Sequence, residues 1–153
     1  MLLLAAPLLM GAGYDARTNY ILHCQGCHGA DGVGGVPEKV PPLRDAIGHF
    51  LHVPGGREFL IQVPGVEQAP IDDGELAALL NYVLHRYSED ELPDAFLPYT
   101  AEEVARVRRA PVDVIVLRAE LVAALHDRLG IRVWTLKDPI VARDDGGPDG
   151  PRN

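Results

Sequence analysis

The strongest constraint on this chain is the stretch HCQGCH, residues 23–28, which holds its only two cysteines. Cys24 and Cys27 are three positions apart, and His28 directly follows the second cysteine. This spacing allows four interpretations: a disulfide, a thioredoxin-type redox pair, a zinc site, or a pair of covalent anchors for haem. Each interpretation makes a different demand on the surrounding sequence.

Three of the four interpretations fit the surroundings of the motif poorly. A disulfide leaves the adjacent histidine unexplained, and a redox pair needs a preceding strand in a β-α-β unit, of which the sequence gives no sign. Zinc needs four ligands in characteristic spacing, whereas His23, Cys24, Cys27 and His28 crowd into six residues. Haem attachment uses this spacing, because two thiols add to two vinyl groups and the histidine reaches the iron from the same side. The residues therefore favour covalent haem.

The rest of the chain predicts short helices joined by long turns. Its 16 glycines and 13 prolines disfavour a large sheet, and they predict a loop over residues 28–46. The clearest helix covers residues 72–87, where apolar residues recur with helical spacing and Asp72 or Asp73 can serve as N-cap. Shorter helical segments are predicted over residues 14–22, 45–51 and 56–63, the last ended by Pro64-Gly65.

Two further helices are predicted after a polar break at residues 88–94. Thr100 and Glu103 have the spacing of a capping box for a helix over residues 101–109. Pro111 is expected to open the next helix, which stops at Gly130. The following stretch, IRVWTL, alternates and predicts a short strand or an extended arm.

The two chain ends have compositions of their own. The start, MLLLAAPLLMGAG, resembles the apolar core and cleavage zone of an export signal over residues 1–13, although no basic residue precedes it. The apolar run is too short to span a bilayer, and a buried N-terminal segment is the alternative. Residues 138–153 are predicted to be disordered by composition. The chain is therefore expected to be exported, for example to a periplasm, with no stable membrane span.

Beyond the motif itself, the order of several segments resembles class I cytochrome c. The segments are YILHCQGCHGADGVG, then PPL, then GREFLIQV, then a proline before the helix LAALLNYVL. The match covers residues 14–87 and implies an all-α, cytochrome c-like fold with one covalent haem c in a domain over residues 14–88. Residues 89–137 then form an extension with two additional C-terminal helices.

The resemblance also implies a set of cofactor-binding residues, namely Cys24, Cys27, His28, Pro42, Leu43 and Arg57. The two cysteines become thioethers and His28 becomes the proximal iron ligand. The carbonyl of Pro41 or Pro42 orients this histidine. Arg57, like Arg44, is a candidate partner for the haem propionates. Tyr20 and Tyr82 are expected to meet where the last helix of the domain crosses the first.

The sequence departs from this family on the far side of the iron. Class I cytochromes usually supply a methionine there, often followed by proline, but this chain has Ala69-Pro70 at the matching position. Its only methionines, Met1 and Met10, lie in the predicted export signal. No methionine remains after cleavage, and since His/Met ligation raises the reduction potential, a lower potential is expected.

Three outcomes are open for the sixth coordination position. It is vacant or water-bound, or a histidine fills it, or another side chain such as Gln68 or Lys39 does. The vacant or water-bound site is favoured, with a histidine next. The candidate histidines are His49, His52 and His85, of which His52 is preferred, although the resemblance places residues 49–52 along the propionate edge.

These features predict an electron carrier rather than an enzyme. It would pass single electrons through its haem to or from a redox partner protein, such as a dehydrogenase, an oxidase or another cytochrome. The formal charge of −8 suits a partner with a basic surface and argues against nucleic-acid binding. The alternatives are a five-coordinate haem module that binds or senses small ligands, and a haem subunit of a periplasmic dehydrogenase.

Overall fold

The computed structural model describes residues 13–34 and 40–133. Within these residues the chain forms α-helices and short 3-10 helices and contains no strand, which confirms the predicted all-α class. The α-helices are α1 (Ala16–His23), α2 (Gln25–His28), α3 (Gly56–Gln62), α4 (Pro64–Glu67), α5 (Asp73–Tyr87), α6 (Ala101–Val107) and α7 (Val114–Leu129). The 3-10 helices are Ile47–His52 and Glu89–Glu91.

Helix α5 is the centre of the fold. Asp72 caps it by accepting a hydrogen bond from the backbone N–H of Glu75 (2.8 Å), while the Glu75 side chain accepts one from the N–H of Asp72 (3.1 Å). This reciprocal pair satisfies two N–H groups that the helix itself leaves unpaired. The predicted apolar stripe is buried along its length, from Leu76 to Tyr87: Leu76, Leu79, Leu80, Val83, Leu84 and Tyr87.

Helix α1 packs against α5, as the sequence predicts. The ring of Tyr20 on α1 lies 6.2 Å from that of Tyr82 and 5.2 Å from that of Tyr87, measured between centroids. Tyr20 is 2% exposed, so this aromatic contact belongs to the core. The crossing places the end of α1, which leads into the cysteine motif, beside the C-terminal half of α5.

The extension packs on the same chain. Helix α6 lies against α5 and α3, and α7 lies against α3 and the 3-10 helix Ile47–His52. Val104, Leu121 and Leu125 are fully or almost fully buried and join the core cluster that also contains Phe59 and Leu76. The extension therefore supplies part of the hydrophobic core that α3 and α5 also form.

Several boundaries differ from the predictions. Helix α7 begins at Val114 rather than at Pro111, because Asp113 caps it by accepting from two backbone N–H groups. A short helix, α4, forms after the predicted stop at Pro64, with proline at its first position, where its missing N–H costs nothing. Gly130 ends α7 in a left-handed conformation, as predicted.

Some predictions fall partly or wholly outside the described residues. Residues 131–133 form no strand, and the rest of IRVWTL lies outside them. The predicted export signal, except Gly13, the predicted disordered tail and Lys39 also lie outside. Among the residues that are described, no helix is both long enough and apolar enough to cross a membrane.

Candidate haem site

The cysteine motif lies at the junction of α1 and α2. The carbonyl of Cys24 accepts hydrogen bonds from the N–H groups of Cys27 (3.1 Å) and His28 (2.9 Å), which turns the motif compactly. Both cysteines are free, so they form no disulfide; Cys24 is half-buried and Cys27 is exposed. Burial, and secondly the neighbouring Cys27, raises the pKa of Cys24 to about 11. Two thiols are thus available on one turn of backbone.

His28 is held in one tautomer by a backbone carbonyl. Its Nδ1 lies 3.2 Å from the carbonyl oxygen of Pro41. A carbonyl can only accept, so Nδ1 carries the proton and Nε2 keeps its lone pair. Burial lowers the pKa of His28, although the bond to Pro41 opposes this, and so favours the neutral ring. A neutral imidazole with a free Nε2 and a bound Nδ1 is the form in which histidine ligates metals.

The described residues on either side of Pro41 and after the motif are joined by backbone hydrogen bonds. The carbonyl of Gly32 accepts from the N–H groups of Leu43 (2.7 Å) and Arg44 (3.0 Å), and the N–H of Gly34 donates to the carbonyl of His28 (3.1 Å). These bonds bring the chain back across the motif. They place the Pro41 carbonyl beside the His28 ring.

Two buried tyrosines hold the segment just after His28. The Tyr20 hydroxyl donates to the carbonyl of Gly29 (2.6 Å), and the Tyr87 hydroxyl donates to that of Ala30 (3.0 Å). Gly32 lies directly on the Tyr87 ring with a φ of +75°, and a Cβ there would lie 2.7 Å from a ring carbon. Only glycine fits both the conformation and the close approach. The α1–α5 crossing thus positions the proximal segment.

The two arginines predicted to bind propionates are engaged elsewhere. Arg44 donates from Nε to the carbonyl of Asp31 (2.9 Å). Arg57 is paired with Glu103 of α6 (Nη2 to Oε2, 2.7 Å), and its guanidinium carbon lies 4.0 Å from the centroid of the Tyr99 ring. It also donates to the carbonyls of Leu97 (2.7 Å) and Pro98 (3.2 Å). The guanidinium of Arg57 therefore ties α3 to the extension.

The candidate distal histidines face the start of the extension. His52 is exposed, and its Nε2 lies 2.9 Å from the carbonyl of Glu91, so this nitrogen carries a proton and cannot also bind a metal. His85 is exposed and contacts Glu89 (3.7 Å) and the ring of Phe96. His49 is half-buried, and burial lowers its pKa. These contacts join the three rings neither to His28 nor to the loop that contains Ala69.

That loop, residues 67–73, is held by a side chain that the sequence did not single out. Arg108, 6% exposed at the end of α6, donates to the carbonyls of Glu67 (2.8 Å), Ala69 and Ile71 (2.9 Å). It also pairs with Asp73 (3.1 Å). Ala69 itself is 8% exposed. The residue that the sequence comparison with class I cytochromes singled out is thus a buried alanine, in a loop bound by an arginine.

The donor set fits haem c better than it fits zinc. It comprises two free thiols three positions apart and a neutral imidazole with its outer nitrogen available. No group of three or more histidine, cysteine or acidic side chains arranged to hold a metal ion occurs in residues 13–34 and 40–133. Of the two prolines that could orient His28, Pro41 is the one whose carbonyl lies at hydrogen-bonding distance.

Comparisons with known proteins settle the family. A cytochrome c-552 of Thermus thermophilus is 32% identical in an alignment 151 residues long, which covers 84% of this chain and 97% of that protein. A second Thermus thermophilus cytochrome c-552 is 32% identical in an alignment 127 residues long, which covers 71% of this chain and 92% of that protein. This chain belongs to the cytochrome c-552 family. It is a c-type cytochrome, and the predictions of a cytochrome c-like fold and of haem c as cofactor are confirmed.

The similarity reaches beyond the minimal haem domain. A match over 84% of the chain cannot fit within residues 1–88, so it includes part of the extension. No family model matches the chain.

Proposed function

We propose that this c-type cytochrome carries single electrons between redox partner proteins through one haem. Cys24 and Cys27 hold the haem as thioethers, and His28 ligates the iron through Nε2. One observation carries the proposal: the Nδ1 of His28 is committed to the Pro41 carbonyl, beside two free thiols on the same turn. When bound, the haem supplies the one-electron couple; the residues supply attachment, orientation and burial.

The proximal residues tune the iron through hydrogen bonding. A carbonyl that accepts from Nδ1–H increases the basicity of the other ring nitrogen and fixes the plane of the ring. Tyr20 and Tyr87 hold the segment that follows His28, so the ring has little freedom to turn. Such rigidity suits electron transfer, because a ligand that keeps its position on oxidation and reduction keeps the reorganisation small. Pro42 and Leu43, both half-buried, complete the turn that presents Pro41.

The partner is a protein with a basic surface. The formal charge of −8 favours attraction to such a surface and raises the rate of encounter at low ionic strength. Donor and acceptor lie among dehydrogenases, oxidases and other cytochromes, and a permanent dehydrogenase complex is the tighter form of the same association. The export-like sequence at residues 1–13 supports export to the periplasm or a similar compartment.

The proposed role as an electron carrier is tested by spectroscopy and voltammetry on the exported, coloured protein. We expect one haem per chain, a reversible one-electron wave, and rapid electron exchange with a basic redox protein that slows as salt increases. An irreversible wave would contradict the proposed carrier, and an exchange rate that does not depend on salt would contradict the attraction to a basic partner.

A second function, small-ligand binding, is favoured by one observation: no methionine occurs in residues 14–153. We propose a sixth position that is vacant or water-bound, since the contacts of His52 and His85 are with Glu91, Glu89 and Phe96 and not with His28 or the loop that contains Ala69. Carbon monoxide titration of the reduced protein tests this; tight binding at low concentration supports the ligand-binding module. A low-spin spectrum without any carbon monoxide response supports a six-coordinate carrier.

A methionine introduced into the loop tests its placement. We expect Ala69→Met to convert the spectrum towards low-spin and to raise the potential, because sulfur ligation favours reduced iron. Ala78→Met, at an exposed position on α5, is the control and should leave the spectrum unchanged. If Ala69→Met also changes nothing, the loop does not face the iron.

A further inference from the structure

A carboxylate of α5 is directed at the backbone nitrogen of Tyr14, the second residue that the structure describes. Glu75 Oε1 accepts a hydrogen bond from the Tyr14 N–H (3.0 Å) and lies 3.5 Å from the Asn19 side-chain nitrogen. Its other oxygen accepts from the N–H of Asp72 and so belongs to the helix cap. The cap fixes the carboxylate, so the position of Oε1 beside Tyr14 does not depend on a flexible side chain.

The residues before Tyr14 have the pattern of a signal-peptidase site. Cleavage needs small residues at the first and third positions before the bond, and Gly13 and Gly11 supply both for the bond between Gly13 and Tyr14. Cleavage after Ala12 would place Met10 at the third position. Cleavage after Ala16 would cut into α1.

The structure also explains why the cleaved bond lies before Asp15. The Asp15 side chain accepts from the Thr18 N–H (2.7 Å) and caps α1, the helix that leads into the cysteine motif. A cut after Asp15 would remove this cap. Tyr14 is 65% exposed, and at Gly13 an added Cβ would overlap Glu75 Oε1. Gly13 therefore suits the peptidase, and in the uncleaved chain it also allows the close approach to the carboxylate.

We propose that a signal peptidase hydrolyses the bond between Gly13 and Tyr14, and that the new α-ammonium group of Tyr14 forms an ion pair with Glu75. Water adds across the amide: the leader departs with the Gly13 carboxylate, and the Tyr14 nitrogen takes up protons to become an ammonium. This inference rests on the export that the proposed function includes. A neutral N–H···O bond becomes a charge-assisted one at a distance the structure already provides.

The ion pair would tie the start of α1 to α5 only after export. Glu75 belongs to the cap of α5, and α1 carries the turn with Cys24. Processing would thus strengthen the α1–α5 crossing in the compartment where the chain functions. The pair is partly exposed, so its contribution to the free energy of unfolding is modest.

Intact mass and N-terminal sequencing of the exported protein test the cleavage. We expect Tyr14 as the first residue, on a chain that carries one haem. A different first residue, or a leader retained on the exported protein, overturns the inference. Covalent haem is scored on the same sample, so failure of the inference is distinguished from failure of the proposed cytochrome.

A pairwise cycle tests the ion pair. Glu75→Gln removes the charge and leaves one side-chain oxygen for two backbone N–H groups, those of Tyr14 and Asp72. This lost acceptor is common to both backgrounds and cancels in the cycle, because the variant is made in the processed protein and in a chain with two extra residues before Tyr14. We expect it to raise the unfolding equilibrium constant about fivefold more in the processed protein, the effect of one partly exposed pair. Glu102→Gln, at an exposed position on α6, should act equally in both. Equal effects of Glu75→Gln would overturn the ion pair.

Discussion

The segment around the Cys-x-x-Cys-His motif, which we propose as the proximal side, and the loop that contains Ala69, which we propose as the distal side, are held by different parts of the chain. On the proximal side, the Nδ1 of His28 is bonded to the carbonyl of Pro41, 13 positions away, and Gly32 is bonded through its backbone to Leu43 and Arg44. On the distal side, residues 67–73 are held by Arg108, which lies 35 to 41 positions further along the chain. The first arrangement uses residues between Tyr20 and Tyr87, whereas the second depends on the extension.

The two arrangements have different roles. The first positions the residues proposed to attach the haem, and the second holds the loop that contains Ala69. Because the proximal groups are local, they form a unit whose chemistry the extension does not enter. Because the distal loop is bound through three carbonyls and one carboxylate, its conformation follows α6. Variants of each half should therefore fail in different ways, which the following substitutions test.

The largest effect, loss of normal haem attachment, is expected on the proximal side. Cys27→Ser removes one thioether, so normal doubly attached haem should be lost. Acid–organic extraction of the parent protein should leave the haem on the polypeptide, and extraction of the variant should show the defect. Gln25→Ala, within the same motif, is the control and should keep the attachment. Normal thioether haem in the Cys27 variant would show that our assignment of the motif is wrong.

On the distal side, Arg108→Met should destabilise the protein by about 3–5 kcal/mol, because it leaves Asp73 and three carbonyls without their partner. Denaturant unfolding of the coloured protein measures the loss. Arg109→Met alters the exposed neighbouring arginine and should change stability little. The haem should stay covalently attached in both variants. A loss of attachment in Arg108→Met alone would show that the two halves are coupled.

Arg108 also shows where sequence reasoning stops. In the stretch RVRRA, nothing distinguishes Arg108 from Arg109, since only the packing of α6 on α5 decides which one points inwards. The Cys-x-x-Cys-His motif, the apolar stripe of α5 and its Asp72 cap are local patterns, and the sequence predicted each one. The partner of Arg57 was missed because Glu103 looks like half of a capping box.

A smaller effect is expected where α3 meets the extension. Glu103→Gln removes the charge opposite Arg57 at a partly exposed pair, so a loss of about 1–2 kcal/mol is expected. Thermal unfolding of the holoprotein measures it, with Glu102→Gln as the control on the exposed face of α6. If both variants unfold alike, the Arg57–Glu103 pair does not help to hold the extension in place.

The smallest loss of stability is expected on the proximal side. Tyr20→Phe keeps the ring in the α1–α5 crossing but removes the hydroxyl that donates to the Gly29 carbonyl (2.6 Å). One lost hydrogen bond should reduce the free energy of unfolding by about 1 kcal/mol. Tyr14→Phe removes a hydroxyl from a residue that is 65% exposed and should have no measurable effect. Because Gly29 follows His28, Tyr20→Phe should also loosen the imidazole ring. A change in the reduction potential without loss of haem would reveal this, whereas an unchanged potential would mean that Pro41 orients the ring without help from Tyr20.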